Sequence, residues 1–89
     1  MPLAAMAGEP TALRRHSVTI AGHRTSISLE EAFWAELRRI AAVRAVSLNA
    51  LVAEIDAARA DGDAARNGRA SSLSGAIRVF VLQAVRAGR

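Results

Sequence analysis

Residues 24–30 of the chain read RTSISLE, a segment in which Arg24, Ser26 and Ser28 alternate with Thr25, Ile27 and Leu29. In an extended strand successive side chains point to opposite faces, so the guanidinium and the two hydroxyls share one face while Ile27 and Leu29 share the other. Such a face offers hydrogen-bonding groups but no reacting group. The rest of the chain adds none: no nucleophile is set beside a base, and Glu54 and Asp56, two apart in a helical stretch, point to different faces. His16 and His23 have no carboxylate or cysteine at ligand spacing. The expectation is therefore recognition without catalysis, metal or cofactor.

The elements that must position this face follow from periodicity. From His16 the pattern alternates, with Val18 and Ile20 apolar between Ser17 and Thr19; Ala21 and Gly22 mark a turn, and residues 23–29 alternate again. A two-residue loop at 21 and 22 sets Ile20 against His23, Val18 against Thr25 and His16 against Ile27. Val18, Ile20, Ile27 and Leu29 then lie on one side, and Arg15, Ser17, Thr19, Arg24, Ser26 and Ser28 on the other.

A first helix is expected from about Glu30 to Arg44, with Phe33, Leu37, Ile40 and Ala41 as its apolar stripe and Trp34 broadening it. Ser47 begins a second helix as an N-cap whose hydroxyl can accept from the backbone N–H of Asn49 or Ala50. Leu48, Leu51, Val52 and Ile55 recur on one face, and the helix is expected to fade near Asp61 with Gly62 as a stop. Residues 72–87 are apolar nearly all round between Ala76 and Val85, and their length and a cap at Ser71 or Ser72 favour a buried third helix over a strand. The organisation expected is a flexible arm over 1–13, a core over 14–61, a linker over 62–71 and a C-terminal helix over 72–89.

Composition narrows the class. The chain has 89 residues, 52% of them hydrophobic, but alanine supplies much of that share, so the core is small and oligomerisation is favoured. Cysteine is absent, no signal peptide is evident at the start, and no apolar run approaches membrane-spanning length, which leads to the expectation of a cytoplasmic protein without membrane contact. Net charge is +4, and every one of the 12 basic residues is arginine, whose planar fork suits phosphate and guanine edges.

A strand with a polar face abutting a helix, then a tight turn and a second helix capped by Ser47, is the order of the ribbon-helix-helix DNA-binding family, the Arc and MetJ superfamily. The sequence resembles that family over about residues 24–56, most clearly in RTSISLEE and VSLNALVAEI. The longer run HSVTIAGHRTSISLEEAFWAELRRIAA is similar to a bacterial subgroup of ribbon-helix-helix domain proteins. The resemblance implies a mainly α fold with a short β-ribbon, formed when two chains pair their strands antiparallel and insert them into the major groove. Here it would carry an added N-terminal strand and C-terminal helix.

By the same resemblance, Arg24, Ser26 and Ser28 would meet base edges, and the helix start at Ser47, Leu48 and Asn49 would hold a DNA phosphate on its backbone N–H groups. Ile27, Leu29, Phe33, Leu37, Ile40, Leu51, Val52 and Ile55 would form a core shared by the two chains. Many members carry glycine where Ala45 stands, so alanine is expected to be strained there by about 1 kcal/mol or to force a different turn. A flat four-stranded sheet would measure about 14 Å between outer strand axes, against a groove ~12 Å wide. The function implied is that of a homodimeric, sequence-specific regulator bound to double-stranded DNA. The alternative is a dimeric protein-interaction module, an antitoxin or adaptor, on the same scaffold with a protein partner.

Overall fold

The computed structural model describes residues 9–65 and 71–88. A short 3-10 turn, Glu9–Thr11, leads into strand β1 (Leu13–Ile20), strand β2 (His23–Glu30) and helices α1 (Glu31–Val43), α2 (Leu48–Ala65) and α3 (Leu73–Arg86). Residues 1–8 of the expected arm, residues 66–70 of the expected linker and residue 89 lie outside the described residues.

The strands form an antiparallel hairpin in the register expected, with Ile20 opposite His23, Val18 opposite Thr25 and His16 opposite Ile27. Ala21 and Gly22 both have positive φ, 50° and 82°, the combination a type I′ turn requires to match the right-handed twist of the strands. Because side chains alternate with period two, that turn assigns every residue to a face: Val18, Ile27 and Leu29 are buried, while Arg15, Ser17, Thr19, Arg24, Ser26 and Ser28 are exposed.

β1 is longer than alternation from His16 suggests. It is anchored at its start by the Glu31 N–H, which donates to the Ala12 carbonyl at 2.9 Å, and by the indole N–H of Trp34, which donates to the Arg14 carbonyl at 2.9 Å. Trp34 is completely buried at the centre of the core, and Phe33, expected on the stripe, is only half-buried. The ring of His16 meets Trp34 edge-on, centroids 4.6 Å apart.

α1 closes on the backbone pattern of a Schellman motif: the N–H of Val46 donates to the Ala41 carbonyl and that of Ala45 to the Ala42 carbonyl. Ala45 takes the left-handed position that this motif demands, φ 56°, so the chain accepts the strain and keeps the turn. Two residues later Ser47 caps α2, its hydroxyl accepting from the Ala50 N–H at 3.0 Å.

α2 does not stop at Gly62; it continues to Ala65. Asp63, buried one residue beyond the glycine, gives the reason. Its carboxylate accepts from Arg59 one turn back at 3.0 Å and from the backbone N–H and hydroxyl of Ser71 at 3.2 and 2.8 Å. These charge-assisted bonds offset the ~1 kcal/mol that a glycine costs inside a helix. They also fix the approach to α3, whose N-cap is Ser72, accepting from Gly75 N–H at 3.0 Å.

α3 closes the core with Ile77 and Val81. Leu29, Leu37, Leu51 and Val52, expected to be shared between two chains, are fully buried within one chain, because Val18 from β1 and the two α3 residues supply the apolar cover. α3 is not buried on all sides as its composition suggests: Val79, Leu82 and Val85 are about half exposed.

Candidate nucleic-acid interface

The exposed face of the hairpin is built from cross-strand pairs. Arg15 stands opposite Ser28, Ser17 opposite Ser26 and Thr19 opposite Arg24. The tight turn determines more than side-chain direction. In a two-residue hairpin the residues flanking the loop, Ile20 and His23, form a hydrogen-bonded pair, and such pairs then alternate along the ladder. The backbone N–H and C=O groups of Arg24, Ser26 and Ser28 therefore point away from β1, toward the outer edge of β2. Those of Arg15, Ser17 and Thr19 point the other way, as the Thr19 N–H does in reaching the Asn49 side-chain oxygen at 3.4 Å.

Among the described residues no further strand pairs with either edge of the sheet. The edge of β1 abuts the start of α2 through that Thr19–Asn49 contact, while the edge of β2 has no strand on it. The sequence-expected base-contacting set thus occupies one edge strand, with side chains on the exposed face and unpaired ladder groups at its side.

The second expected set lies at the other margin. Ser47 supplies the cap, and the first backbone bond of α2 runs from the Leu51 N–H to the Ser47 carbonyl at 3.0 Å. The N–H groups of Leu48 and Asn49 are left as the donors that a helix start cannot satisfy internally. They sit beside β1, not β2, an arrangement set by the fold of the hairpin over α2. On the sequence alone Arg15, Ser17 and Thr19 share the polar face but carry no role.

The charge that this face leaves unpaired is positive. Arg15 and Arg24 make no ion pair among the described residues. Glu30, the carboxylate at the far end of the face, is held by Arg78 of α3, which donates to its two oxygens at 2.9 and 3.2 Å. Those bonds, joined by one from the backbone of Glu30, hold its carboxyl below the ordinary glutamate range. No group of three or more His, Cys, Asp or Glu side chains converges among the described residues. His16 is tucked against Trp34 and His23 is exposed beside the turn.

Edge strand, abutting helix, Schellman turn and capped second helix define a ribbon-helix-helix module extended at both ends. The ribbon-helix-helix domain family model matches residues 13–85, and the chain belongs to that family. Its members generally dimerise and bind DNA, serve as regulators or antitoxins, and are typically non-enzymatic. Among solved structures the chain is similar to an uncharacterized protein from Bordetella pertussis Tohama I, with 25% identity and a TM-score of 0.70 over 97% of this chain and 68% of that one. No curated protein matches it. Among the described residues no helix is long and apolar enough to cross a membrane.

Proposed function

We propose that the chain is a homodimeric, sequence-specific DNA-binding protein that regulates transcription in the bacterial cytoplasm. Two copies pair along the free edges of β2, so that Arg24, Ser26 and Ser28 of both face the base edges of a major groove. Arg24 can donate in bidentate fashion to guanine, and the serines to any base with an acceptor. The N–H groups of Leu48 and Asn49, ordered by the Ser47 cap, hold a backbone phosphate, as orphan donors and the helix dipole favour. The observation that carries this reading is the β2 edge: its polar side chains are exposed, and among the described residues its guanidinium is unpaired and its outward ladder groups have no strand to bond.

A labelled duplex selected from a random pool tests it. Binding should weaken steeply with salt as counterions are released. Arg24→Ala should cost about 1–3 kcal/mol at the preferred site and relax base choice there. Ser47→Ala should weaken all sequences alike. Equal affinity of wild type and Arg24→Ala for every duplex would refute the base reading.

One observation favours the alternative, a protein-interaction module of antitoxin or adaptor type. Val79, Leu82 and Val85 are exposed on α3, and a separate groove between α1 and α3 is lined by Ile40, Val43, Phe80 and Ala84 with Arg39, Arg44 and Gln83 at its margin. Exposed apolar surface of this kind commonly marks a protein contact. Salt-insensitive behaviour toward all duplexes would move the assignment there.

A further inference from the structure

β1 adds its own row of polar side chains to the exposed face, and its place relative to β2 gives that row a distinct target. Pairing β2 with its copy so that the outward groups of residues 24, 26 and 28 are all used centres the twofold axis on Ser26. The sheet then has four strands in the order β1, β2, partner β2, partner β1. At ~4.8 Å spacing the inner strand axes stand about 2.4 Å from the twofold and the outer ones about 7 Å. A major groove ~12 Å wide places its walls about 6 Å from its midline. Centred in the groove, such a sheet would set its inner strands over base edges and each β1 over a phosphate ridge.

The side chains of β1 suit that position. Arg15 is exposed and unpaired among the described residues, and Ser17 and Thr19 carry short hydroxyls that let a backbone approach the sheet closely. Phosphate oxygens accept from all three residue types. The carboxylate on this face, Glu30, is occupied by Arg78 and does not oppose an anion at Arg15.

We propose that β1 is a phosphate-binding flank: Arg15, with the hydroxyls of Ser17 and Thr19, contacts the sugar-phosphate backbone on both walls of the groove while β2 reads the bases. This rests on the reading of the chain as a DNA-binding dimer joined through β2. On it, the extra strand widens the footprint of the sheet instead of obstructing insertion.

The test is the salt dependence of duplex binding by the full-length protein, measured by fluorescence anisotropy. With two copies per dimer, Arg15→Ala should make the slope of log K against log salt shallower by about 2, at roughly 0.9 per phosphate lost. It should weaken every sequence by the same factor, on the order of tenfold at 0.15 M salt, without altering sequence preference. Arg15→Lys, which keeps a point charge for phosphate, should restore most of the slope. Unchanged emission from the buried Trp34 shows in each variant that the hairpin is intact. Wild-type binding with an unaltered slope and affinity in Arg15→Ala overturns the flank and leaves the function standing. Loss in Arg15→Lys equal to that in Arg15→Ala, with altered sequence preference, also overturns it, since Arg15 would then be reading bases. A wild-type protein that binds no duplex overturns the proposed function itself, and is recognised before any variant is compared.

Discussion

Trp34 of α1 donates its indole N–H to the backbone carbonyl of Arg14 on β1, 2.9 Å away, and so fastens the added strand to the helix that follows the hairpin. Removing both the ring and the bond in Trp34→Ala should cost about 3–5 kcal/mol, the usual range for a buried tryptophan, which is a large part of the stability of a small domain. Trp34→Phe should cost less, about 1 kcal/mol for the hydrogen bond with an added cost for the vacated volume. Urea unfolding followed by circular dichroism measures both; a midpoint unchanged in Trp34→Ala would contradict the anchoring role.

His16 presents the opposite case. Its Nε2 is buried and finds no hydrogen-bond partner among the described residues, while its ring packs edge-on against Trp34. His16→Phe keeps an aromatic edge there and removes the unsatisfied nitrogen, so stability should hold or rise by about 1 kcal/mol. A clear loss in thermal midpoint would show that the nitrogen does have a partner in solution.

Ala21 and Ala45 both sit at positive φ, 50° and 56°. Ala45→Gly, and Ala21→Asn at the first position of the type I′ turn, should each raise stability by about 0.5–1 kcal/mol by relieving left-handed strain. The denaturant midpoint should shift upward with its slope unchanged, and a downward shift would count against the strain argument.

Asp63 binds α2 to the approach of α3, accepting from Arg59 and from two donors of Ser71. Asp63→Ala leaves the N–H and hydroxyl of Ser71 without their acceptor, while Arg59 keeps Asp56 and the Ser71 carbonyl, and should cost about 2–3 kcal/mol, as charged hydrogen bonds of this kind do. Hydrogen exchange should accelerate first in the last turn of α2 and across α3; a uniform change over the whole chain would argue against a local clasp.

The pair of Glu30 and Arg78 makes a pH prediction. The Glu30 carboxyl titrates lower in the folded chain than its ordinary value because Arg78 donates to it. The unfolded state therefore binds more protons in that window, so the contribution is present above the ordinary glutamate value of about 4.3 and is lost as pH falls through the lower folded value. Thermal midpoints from pH 7 down to 2.5 should show a shallower acid decline in Glu30→Gln than in wild type. Parallel profiles would remove the pair from the account.

The hairpin was legible in the sequence down to its register, because period-two alternation on either side of Ala21 and Gly22 permits one pairing that puts Val18, Ile27 and Leu29 on a common face. The cap at Ser47 was legible for a similar reason, a local bond between a hydroxyl and an N–H three residues on, and the cap of α3 was narrowed to Ser71 or Ser72, of which the structure uses Ser72. The candidate face was readable as a polar row, and the direction of its backbone edges follows from the same two-residue turn, but what comes to lie against each edge does not. Gly62 misled, since the stop it signals is a local preference and Asp63 overrides it through Ser71, eight residues away in sequence. Only the tertiary structure decided that Trp34 takes the centre of the core, that α2 starts beside β1, and that Ile77 and Val81 join Leu29 and Leu37 in a core closed within a single chain. Each of those depends on contacts between elements distant in sequence, where periodicity says which face is apolar but not what comes to lie against it.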